Sequence, residues 1–401
     1  MLNLKADVDQ NNTGETQDFS LVLGGPLYQI LRRSHLSGNA MEMVYRRIIG
    51  FVLITWLPLL ILSMIDGLAW SGRRLPFLYD IDSQCRFLVA LPLFIYAELI
   101  VHVRMRRIVA MFLERNLITP AQREKFFAII ESFKRLRNSI IVELLIIVIV
   151  YVVGVHYIWR QVFSVQIDTW NSPAVGGGKI PLAGLWFLYI SLPFFQFIMF
   201  RWLFRLILLC RFLWHVSRLD LQLVPTHPDL CGGLGFLANT VYAFIPLLLG
   251  LGVLFSGSVA NWILYEGGKL LQYKLEILAV VALGILLVLG PLLVFAPCLS
   301  AARRKGLAEY GTLAQHYVRE FDKKWLRGGA SDGEPLIGSA DIQSLADLNN
   351  SFDVIRNMRL VPFSKETIFQ LAIITLLPFL PLTLTMFSLE ELIDRLLKSV
   401  F

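Results

Sequence analysis

The sequence predicts an all-α protein, a polytopic transmembrane helical bundle of about seven spans with amphipathic cytoplasmic helices. Three observations predict it. Of the 401 residues, 56% are hydrophobic and 17% are charged, whereas a soluble domain has roughly 25% charged residues. Several apolar runs reach the ~20 residues that a helix needs to cross a hydrocarbon core of about 30 Å. The segments that connect these runs are alternately rich and poor in Lys and Arg.

Seven apolar segments qualify as spans. They cover residues 48–68, 87–103, 140–158, 182–200, 236–259, 275–298 and 368–387. The first 18 residues are polar, so the first span is expected to remain in the mature chain rather than to be cleaved as a signal peptide. The chain then divides into an N-terminal cytoplasmic segment (1–47), a six-span membrane domain (48–300), a cytoplasmic helical segment (301–366) and a seventh span with a short outer tail (367–401).

The distribution of Lys and Arg predicts the orientation. Alternate connecting segments, beginning with the N-terminus, hold 28 of the 37 basic residues, and the other segments hold 9. By the positive-inside rule the N-terminus is cytoplasmic. Trp70, Trp159, Trp170 and Trp262 fall at the outer ends of spans, where indole rings favour the membrane interface. The net charge of +7 is explained by these flanking residues, and no nucleic-acid partner is expected.

Three cytoplasmic segments have apolar residues at helical spacing. In the first, Thr119 to Gln122 resembles a capping box, with proline at the first helical position. The other two follow the sixth span, on either side of a polar, Gly-rich linker at residues 327–334. Their apolar residues are Leu307, Tyr310, Ala314, Tyr317, Phe321 and Trp325, then Ile342, Leu345, Leu348, Phe352 and Ile355. These helices are predicted to form a cytoplasmic layer or to lie in the lipid interface.

Ionisable side chains inside the spans are the candidate site. Each costs at least ~2.5 to 3.5 kcal/mol in hydrocarbon, so it needs a partner or a wet cavity. Five of them share the cytoplasmic side, and they form either an ion pathway or buried ion pairs. They are Glu98 and His102 on the second span, Glu143 on the third, and Arg201 and Arg205 after the fourth.

A polar loop precedes the fifth span and contains His227, Asp229, Gly232, Gly233 and Gly235. It lacks the strand and the Gly-Lys-Ser/Thr of a phosphate loop, so an elbow into the span is predicted. His215, His227, Asp229 and Cys231 carry metal-ligand chemistry, but their spacing matches no metal motif. No metal, cofactor or catalytic residue is predicted. Further along, Gly252, Ser256 and Ala260 form a small-residue face suited to close helix packing.

Four segments resemble a family of bacterial polytopic inner-membrane proteins with no established activity, and the resemblance covers nearly the whole chain. They are Gly-Gly-Pro-Leu-Tyr at 24–28, Pro-Phe-Leu-Tyr-Asp at 76–80, HPDLCGGLGF at 227–236 and GSADIQSLADL at 338–348. The resemblance implies a bacterial inner membrane and carries over no functional residue.

Two functions remain open from the sequence. The first is a channel or transporter for a small ion or solute, with the five ionisable residues lining or gating the route. The second is a non-enzymatic scaffold or sensor whose cytoplasmic helices bind a protein partner. The partners expected are the lipid bilayer and either a second copy or another protein. An enzyme ranks third, because no nucleophile, base or metal arrangement has motif support.

Overall fold

The computed structural model describes residues 20–22, 24, 44–155, 169–172, 179–331, 334–335 and 339–385. This part of the chain is helical and contains no strand, which confirms the all-α prediction. Its helical segments are α1 (Val44–Ile65), α2 (Ile81–Glu114), α3 (Arg123–Arg137), α4 (Ile140–Val152), α5 (Leu182–Ser217), α6 (Gly235–Glu266), α7 (Leu270–Leu326), α8 (Ala340–Arg356) and α9 (Lys365–Thr383).

Six of these helices are long and apolar enough to cross a bilayer, namely α1, α2, α5, α6, α7 and α9. The helix α4 is equally apolar but shorter. It begins the predicted third span, and residues 156–168 of that region lie outside the described part of the chain. Three helices also run well past their predicted spans, because a helix continues beyond the hydrocarbon wherever a polar sequence still favours it. These are α2, α5 and α7.

Each described span contains a proline within or just after a turn that is not α-helical. Proline lacks a backbone N–H and clashes with the carbonyl four residues earlier, so a locally wider or tighter turn relieves the conflict. A turn at Trp56 precedes Pro58, and π-helical turns at Cys85–Ala90 and Phe187–Ser191 precede Pro92 and Pro193. Tighter 3₁₀ turns at Tyr242–Phe244, Gly290–Phe295 and Leu377–Phe379 precede or contain Pro246, Pro291 and Pro378.

The helix α2 lies at the centre and contacts α1, α5 and α6. Around it, α4 packs on α5, α7 packs on α5 and α6, and α9 packs on α6 and α7. Large apolar side chains on the outer helices remain exposed, including Ile141 on α4, Leu275 on α7 and Phe369 on α9. Such a surface would be unfavourable in water, and it is the expected surface of a protein that faces lipid.

The small-residue face of α6 packs within the chain. A side chain added at Gly252 would come within 2.3 Å of the backbone oxygen of Thr375 on α9. One added at Gly257, which lies outside that face, would come within 2.8 Å of Cβ of Cys85 on α2. Close approach of α6 to two neighbours therefore requires these glycines, as expected for small residues between membrane helices.

The helices predicted outside the spans are present, with two corrections to local detail. The α3 helix buries Phe126, Ile130 and Phe133 against α5. The capping-box prediction is wrong, because the Thr119 side chain makes no capping hydrogen bond and a 3₁₀ turn at Pro120–Gln122 begins the segment instead. The interfacial prediction for Trp170 is also wrong, since this ring is fully buried. Trp70 is 60% exposed, and Trp159 lies outside the described residues.

Candidate functional site

The predicted charged residues gather at one end of the bundle, here called the Glu98 end. Glu98 lies 17 residues after the start of α2, which places it about 25 Å along the helix. Asp80, just before α2, marks the opposite end, called the Asp80 end. This separation is comparable to the thickness of a hydrocarbon core, about 30 Å, so the two ends are far enough apart to lie near opposite membrane surfaces.

Glu98 joins three helices through its two carboxylate oxygens. Oε1 accepts a hydrogen bond from Nη1 of Arg205 on α5 at 2.6 Å. Oε2 accepts one from Nη2 of Arg47 on α1. All three side chains are buried, so each charge has exchanged water for its partners. The sequence analysis missed Arg47, although its place immediately before the first predicted span put it at the depth of Glu98.

Arg201 is held less tightly than Arg205. Its Nη2 lies 3.7 Å from Oε1 of Glu143 on α4, and its guanidinium carbon lies 5.9 Å from the centre of the Phe197 ring. Within the described part of the chain no hydrogen bond involves its guanidinium. Arg201 is nevertheless only 7% exposed. Arg47, Arg201 and Arg205 carry three positive charges against the two negative charges of Glu98 and Glu143, so these five groups have a net positive charge.

His102 is bound separately from this group. Its Nδ1 lies 2.8 Å from Oγ of Ser20, in the short described piece of the N-terminal segment. Arg137, at the end of α3, donates a hydrogen bond to the Ser20 backbone oxygen. Burial, with repulsion from Arg205, lowers the pKa of Arg137 to about 10, which still leaves it protonated at neutral pH. The structure therefore brings Glu98, Glu143, Arg201 and Arg205 into ion pairs and gives His102 another partner.

A small cavity lies beside these charges. It has a volume of about 20 Å³ and is lined by Val22, Gly24, Arg137, Glu143, Ile146, Arg201, Phe204 and Arg205. A single water needs roughly 10 to 15 Å³ of such space. The cavity therefore has room for one water or an ion of similar size, and its lining has more arginines than carboxylates.

The loop at residues 227–235 is built around the Asp229 carboxylate. Oδ1 accepts from the backbone N–H groups of Cys231 at 2.8 Å and Gly233 at 3.1 Å, and Oδ2 accepts from Gly235 at 2.7 Å. Burial alone would raise the pKa of Asp229, but these three hydrogen bonds outweigh it and lower the pKa. Positive φ angles of 62° and 97° explain the glycines at 232 and 233.

The side chains of this loop are engaged with the loop itself and its neighbours. Nδ1 of His227 lies 3.0 Å from Oδ1 of Asp229, and Arg359 donates to the Asp229 backbone oxygen at 2.9 Å. Gly235 begins α6, and a side chain there would come within 2.8 Å of the Asp229 side chain. Among the described residues, no group of three or more His, Cys, Asp or Glu side chains is placed to hold a metal ion. The loop is an elbow into α6.

The Asp80 end contains a second buried polar group that the sequence analysis did not single out. Asp80 is only 5% exposed. Its carboxylate accepts from Nδ2 of Asn261 at 2.6 Å, Nε1 of Trp170 at 2.8 Å, and Oγ of Ser83 at 2.6 Å. These bonds tie the start of α2 to α6 and to the 169–172 segment. Trp170 is buried rather than interfacial because its indole N–H has this acceptor.

A helical arm extends from the Glu98 end. The α7 helix has 57 residues, or about 85 Å at 1.5 Å per residue, nearly three times the hydrocarbon thickness. Near Gly306 it packs against Pro225 and Ile355. From there to Leu326 it is paired with α8, and we call this portion of α7 together with α8 the arm. The two predicted apolar stripes face each other in it, except that Ile342 is exposed.

The far end of the arm is closed by a polar cluster around Asp341. Nζ of Lys324 lies 2.8 Å from Oδ2 of Asp341 and 2.6 Å from Oε1 of Glu334. Nε1 of Trp325 donates to the same Asp341 oxygen at 3.0 Å. The hydrogen bonds from Lys324 and Trp325 lower the pKa of Asp341. The first turn of α8 is thereby fixed to the end of α7.

Between α7 and α8 the arm contains an open groove of about 230 Å³. Its lining is apolar apart from one asparagine, and consists of Gly311, Ala314, Val318, Leu345, Leu348, Asn349 and Phe352.

Six helices are long and apolar enough to cross a bilayer, and large apolar side chains on the outer helices are exposed. These two observations identify the class of protein. The chain is a multi-pass membrane protein. Comparisons with protein-family models, with curated proteins and with solved structures gave no match. The chemistry of the Glu98 end and of the arm therefore rests on their own geometry.

Proposed function

We propose that the chain is a non-enzymatic membrane scaffold or sensor, which binds an amphipathic helix of a partner protein in the groove of the arm. The observation that carries this proposal is the arm itself. Beyond Gly306, α7 continues for 20 residues, or about 30 Å, and pairs with α8 instead of with the membrane bundle. A feature of this length contributes nothing to crossing the bilayer.

The groove has the shape and chemistry of a helix-binding site. Gly311 and Ala314 on α7 leave space between the two helices, and Leu345, Leu348 and Phe352 on α8 form an apolar wall. Helix-in-groove recognition uses apolar side chains spaced three or four residues apart, inserted into such a channel. Val318, which lines the groove, is also 49% exposed. A bound helix would cover it.

Site-specific photocrosslinking in cells tests this proposal. A photoreactive amino acid at Leu345 or Leu348 lies in the groove, and one at Gln343 is the matched control. Gln343 is on the opposite side of α8, about 160° from Leu345 at 100° per residue. We expect a discrete protein adduct from the two groove positions and none from Gln343.

Three results would count against the proposal. Equal adducts on both sides of α8 would show nonspecific contact, and adducts with lipid alone would place the arm on the membrane surface. An adduct with a second copy of the chain would replace the heterologous partner with self-association, and the mass of the adduct distinguishes it.

Permeation of a small anion is the second candidate, and the net positive charge of the buried arginines and glutamates supports it. Its support is weaker than that for the scaffold. The cavity beside these charges has room for one water-sized particle, and both oxygens of Glu98 are already occupied by arginines.

A further inference from the structure

A large apolar groove runs along the membrane face of the bundle between α4 and α5. Its volume of about 510 Å³ lies within the range of roughly 300 to 1,000 Å³ that is typical of small-molecule sites. Apart from Glu143 at one end, its lining is apolar or aromatic. The lining residues are Ile140, Glu143, Leu144, Ile147, Val150, Tyr151, Ile190, Pro193, Phe194 and Phe197.

The length of the groove matches one leaflet of a bilayer. From Ile140 to Tyr151 the chain advances 11 residues, or about 16 Å of helix. Half of a hydrocarbon core of about 30 Å is about 15 Å. Ile140 is the first residue of α4, at the Glu98 end, so the groove extends from that membrane surface towards the middle of the bilayer. An acyl chain that follows it has its polar end at the arginines.

The polar end of the groove adjoins the small basic cavity. Glu143 lines both spaces. Arg201 lines the cavity, and its guanidinium lies over Phe197, which lines the groove. Arg205 is already committed to Glu98, whereas the ion pair of Arg201 with Glu143 is 3.7 Å long. Arg137 adds a further positive charge to the cavity wall.

We infer that this groove binds one anionic phospholipid, with an acyl chain between α4 and α5 and its phosphate outside the small cavity, beside Arg201 and Arg137 at its wall. Both parts of the ligand follow from the site. The apolar groove favours a hydrocarbon chain over a free ion. The excess of arginine over glutamate at its end favours a phosphate, because guanidinium groups pair with phosphate through two parallel hydrogen bonds.

Native mass spectrometry of the full-length protein, released from detergent micelles, tests this inference. The probes are phosphatidylglycerol, phosphatidylcholine and inorganic phosphate, each added to delipidated protein. We expect one phosphatidylglycerol to bind per chain, more tightly than phosphatidylcholine, and no retained phosphate. Loss of a hydrogen bond to a charged group predicts that Arg201→Gln weakens phosphatidylglycerol binding by about tenfold or more.

Two matched pairs of variants separate binding from folding. Arg211→Gln removes an exposed arginine from the same helix and should leave lipid binding unchanged. Ile147→Trp fills the groove without altering any charge, and Leu145→Trp places the same ring on the opposite, exposed side of α4. Only Ile147→Trp should weaken binding, which keeps the test valid if Arg201→Gln unfolds.

Each alternative result would overturn the inference. Equal binding of phosphatidylcholine and phosphatidylglycerol would show that the site does not select an anionic headgroup. Retention of inorganic phosphate with the same dependence on Arg201 would indicate a free-anion site. Unchanged lipid binding in both Arg201→Gln and Ile147→Trp would show that the lipid does not bind in this groove. None of these results depends on whether a protein partner binds the arm.

Discussion

Arg205 of α5 and Glu98 of α2 are 107 residues apart in the sequence, and their side chains meet at 2.6 Å in the interior of the bundle. The second oxygen of Glu98 is bound by Arg47 of α1. One carboxylate therefore fixes the relative positions of three membrane helices. A buried pair of this kind adds little net stability over an apolar contact, but it strongly penalises any state in which one partner is missing.

Glu98→Gln should destabilise the protein by ~3 to 5 kcal/mol, because Arg47 and Arg205 would lose their counter-charge while remaining buried. Thermal unfolding in detergent measures the effect. Glu309→Gln is the control, because the side chains of Glu309 and its ion-pair partner Lys305 are 61% and 75% exposed, respectively. We expect it to change the free energy of unfolding by no more than about 0.5 kcal/mol. In the double variant Glu98→Gln/Arg205→Gln the losses should not add. Additive losses would mean that the two groups do not interact.

Asp80→Ala should also destabilise the bundle, from the opposite end. It would leave Nε1 of the buried Trp170 and Nδ2 of the half-buried Asn261 without their acceptor, at a cost of about 1 to 3 kcal/mol for the buried indole N–H. Thermal unfolding is the measurement. Asp66→Ala is the control, because Asp66 is partly exposed and accepts a single bond of 3.3 Å from the Ala183 N–H. Equal effects of the two substitutions would contradict the prediction.

The loop before α6 should be sensitive to acid through Asp229. Folding lowers the pKa of this carboxyl below its usual value of about 3.9. The stabilisation is therefore complete above pH of about 4 and is lost as pH falls through the lower, folded-state pKa. The stability difference between the natural chain and Asp229→Asn should not shrink between pH 7 and pH of about 4, and it should shrink below that pH. Unfolding curves measured from pH 7 downward, with Asp353→Asn on α8 as control, test this; a difference that already shrinks near pH 6 would be inconsistent with it.

The sequence was sufficient to predict the six helices of crossing length, because they follow from hydropathy and from a rise of 1.5 Å per residue. The third predicted span is represented among the described residues by the shorter helix α4. Depth along the spans predicted that Glu98 and Glu143 would face Arg201 and Arg205. Arg47 was overlooked since it lies just outside an apolar run, and a run of apolar letters does not show that its flanking residue turns inward. His102 was grouped with Glu98 by spacing alone, whereas its partner Ser20 comes from a distant segment.

The features that could not be predicted depend on contacts between segments. The sequence predicted that Trp170 lies at the membrane interface. In the structure its indole N–H donates to Asp80, 90 residues away, and the ring is buried. The groove between α4 and α5 could not be predicted, because residues that line it, such as Tyr151 and Pro193, belong to two helices whose packing the sequence does not specify. The arm was predicted in part, because the sequence shows its two apolar stripes. The sequence did not show that α7 continues without a break from its membrane span to Leu326.

The orientation is predicted by the distribution of basic residues, and engineered cysteines can test it. The native thiol of Cys231 is unsuitable, because it is fully buried and burial raises its pKa. Ser71 and Ser331 are both exposed; Ser71 lies at the Asp80 end, and Ser331 lies in the segment that joins the two helices of the arm. In intact spheroplasts a membrane-impermeant thiol reagent should label Ser71→Cys, and it should label Ser331→Cys only after permeabilisation. The unsubstituted chain is the control, and labelling of Ser331→Cys in intact cells would reverse the orientation.

Ion flux across proteoliposomes distinguishes the scaffold from the permeation protein. A route for ions needs charged groups that are free to exchange water and ligands. At the Glu98 end Arg47 and Arg205 are both bound to one carboxylate, and the neighbouring cavity has a volume of about 20 Å³. We therefore expect no flux above that of empty liposomes under either a cation or an anion gradient.

The variants Arg201→Glu and Arg211→Glu make this flux experiment decisive. Both reverse one charge on α5, but only Arg201 is buried beside the cavity. If anions do cross, and Arg201→Glu changes the selectivity while Arg211→Glu does not, the buried arginine lines a route and permeation replaces the scaffold as the better proposal. If anions cross with the same selectivity in both variants, the route lies elsewhere in the bundle, because reversing a charge at the constriction must alter which ions enter. Absence of flux in all three proteins, each shown to be folded, would count against permeation and favour the scaffold.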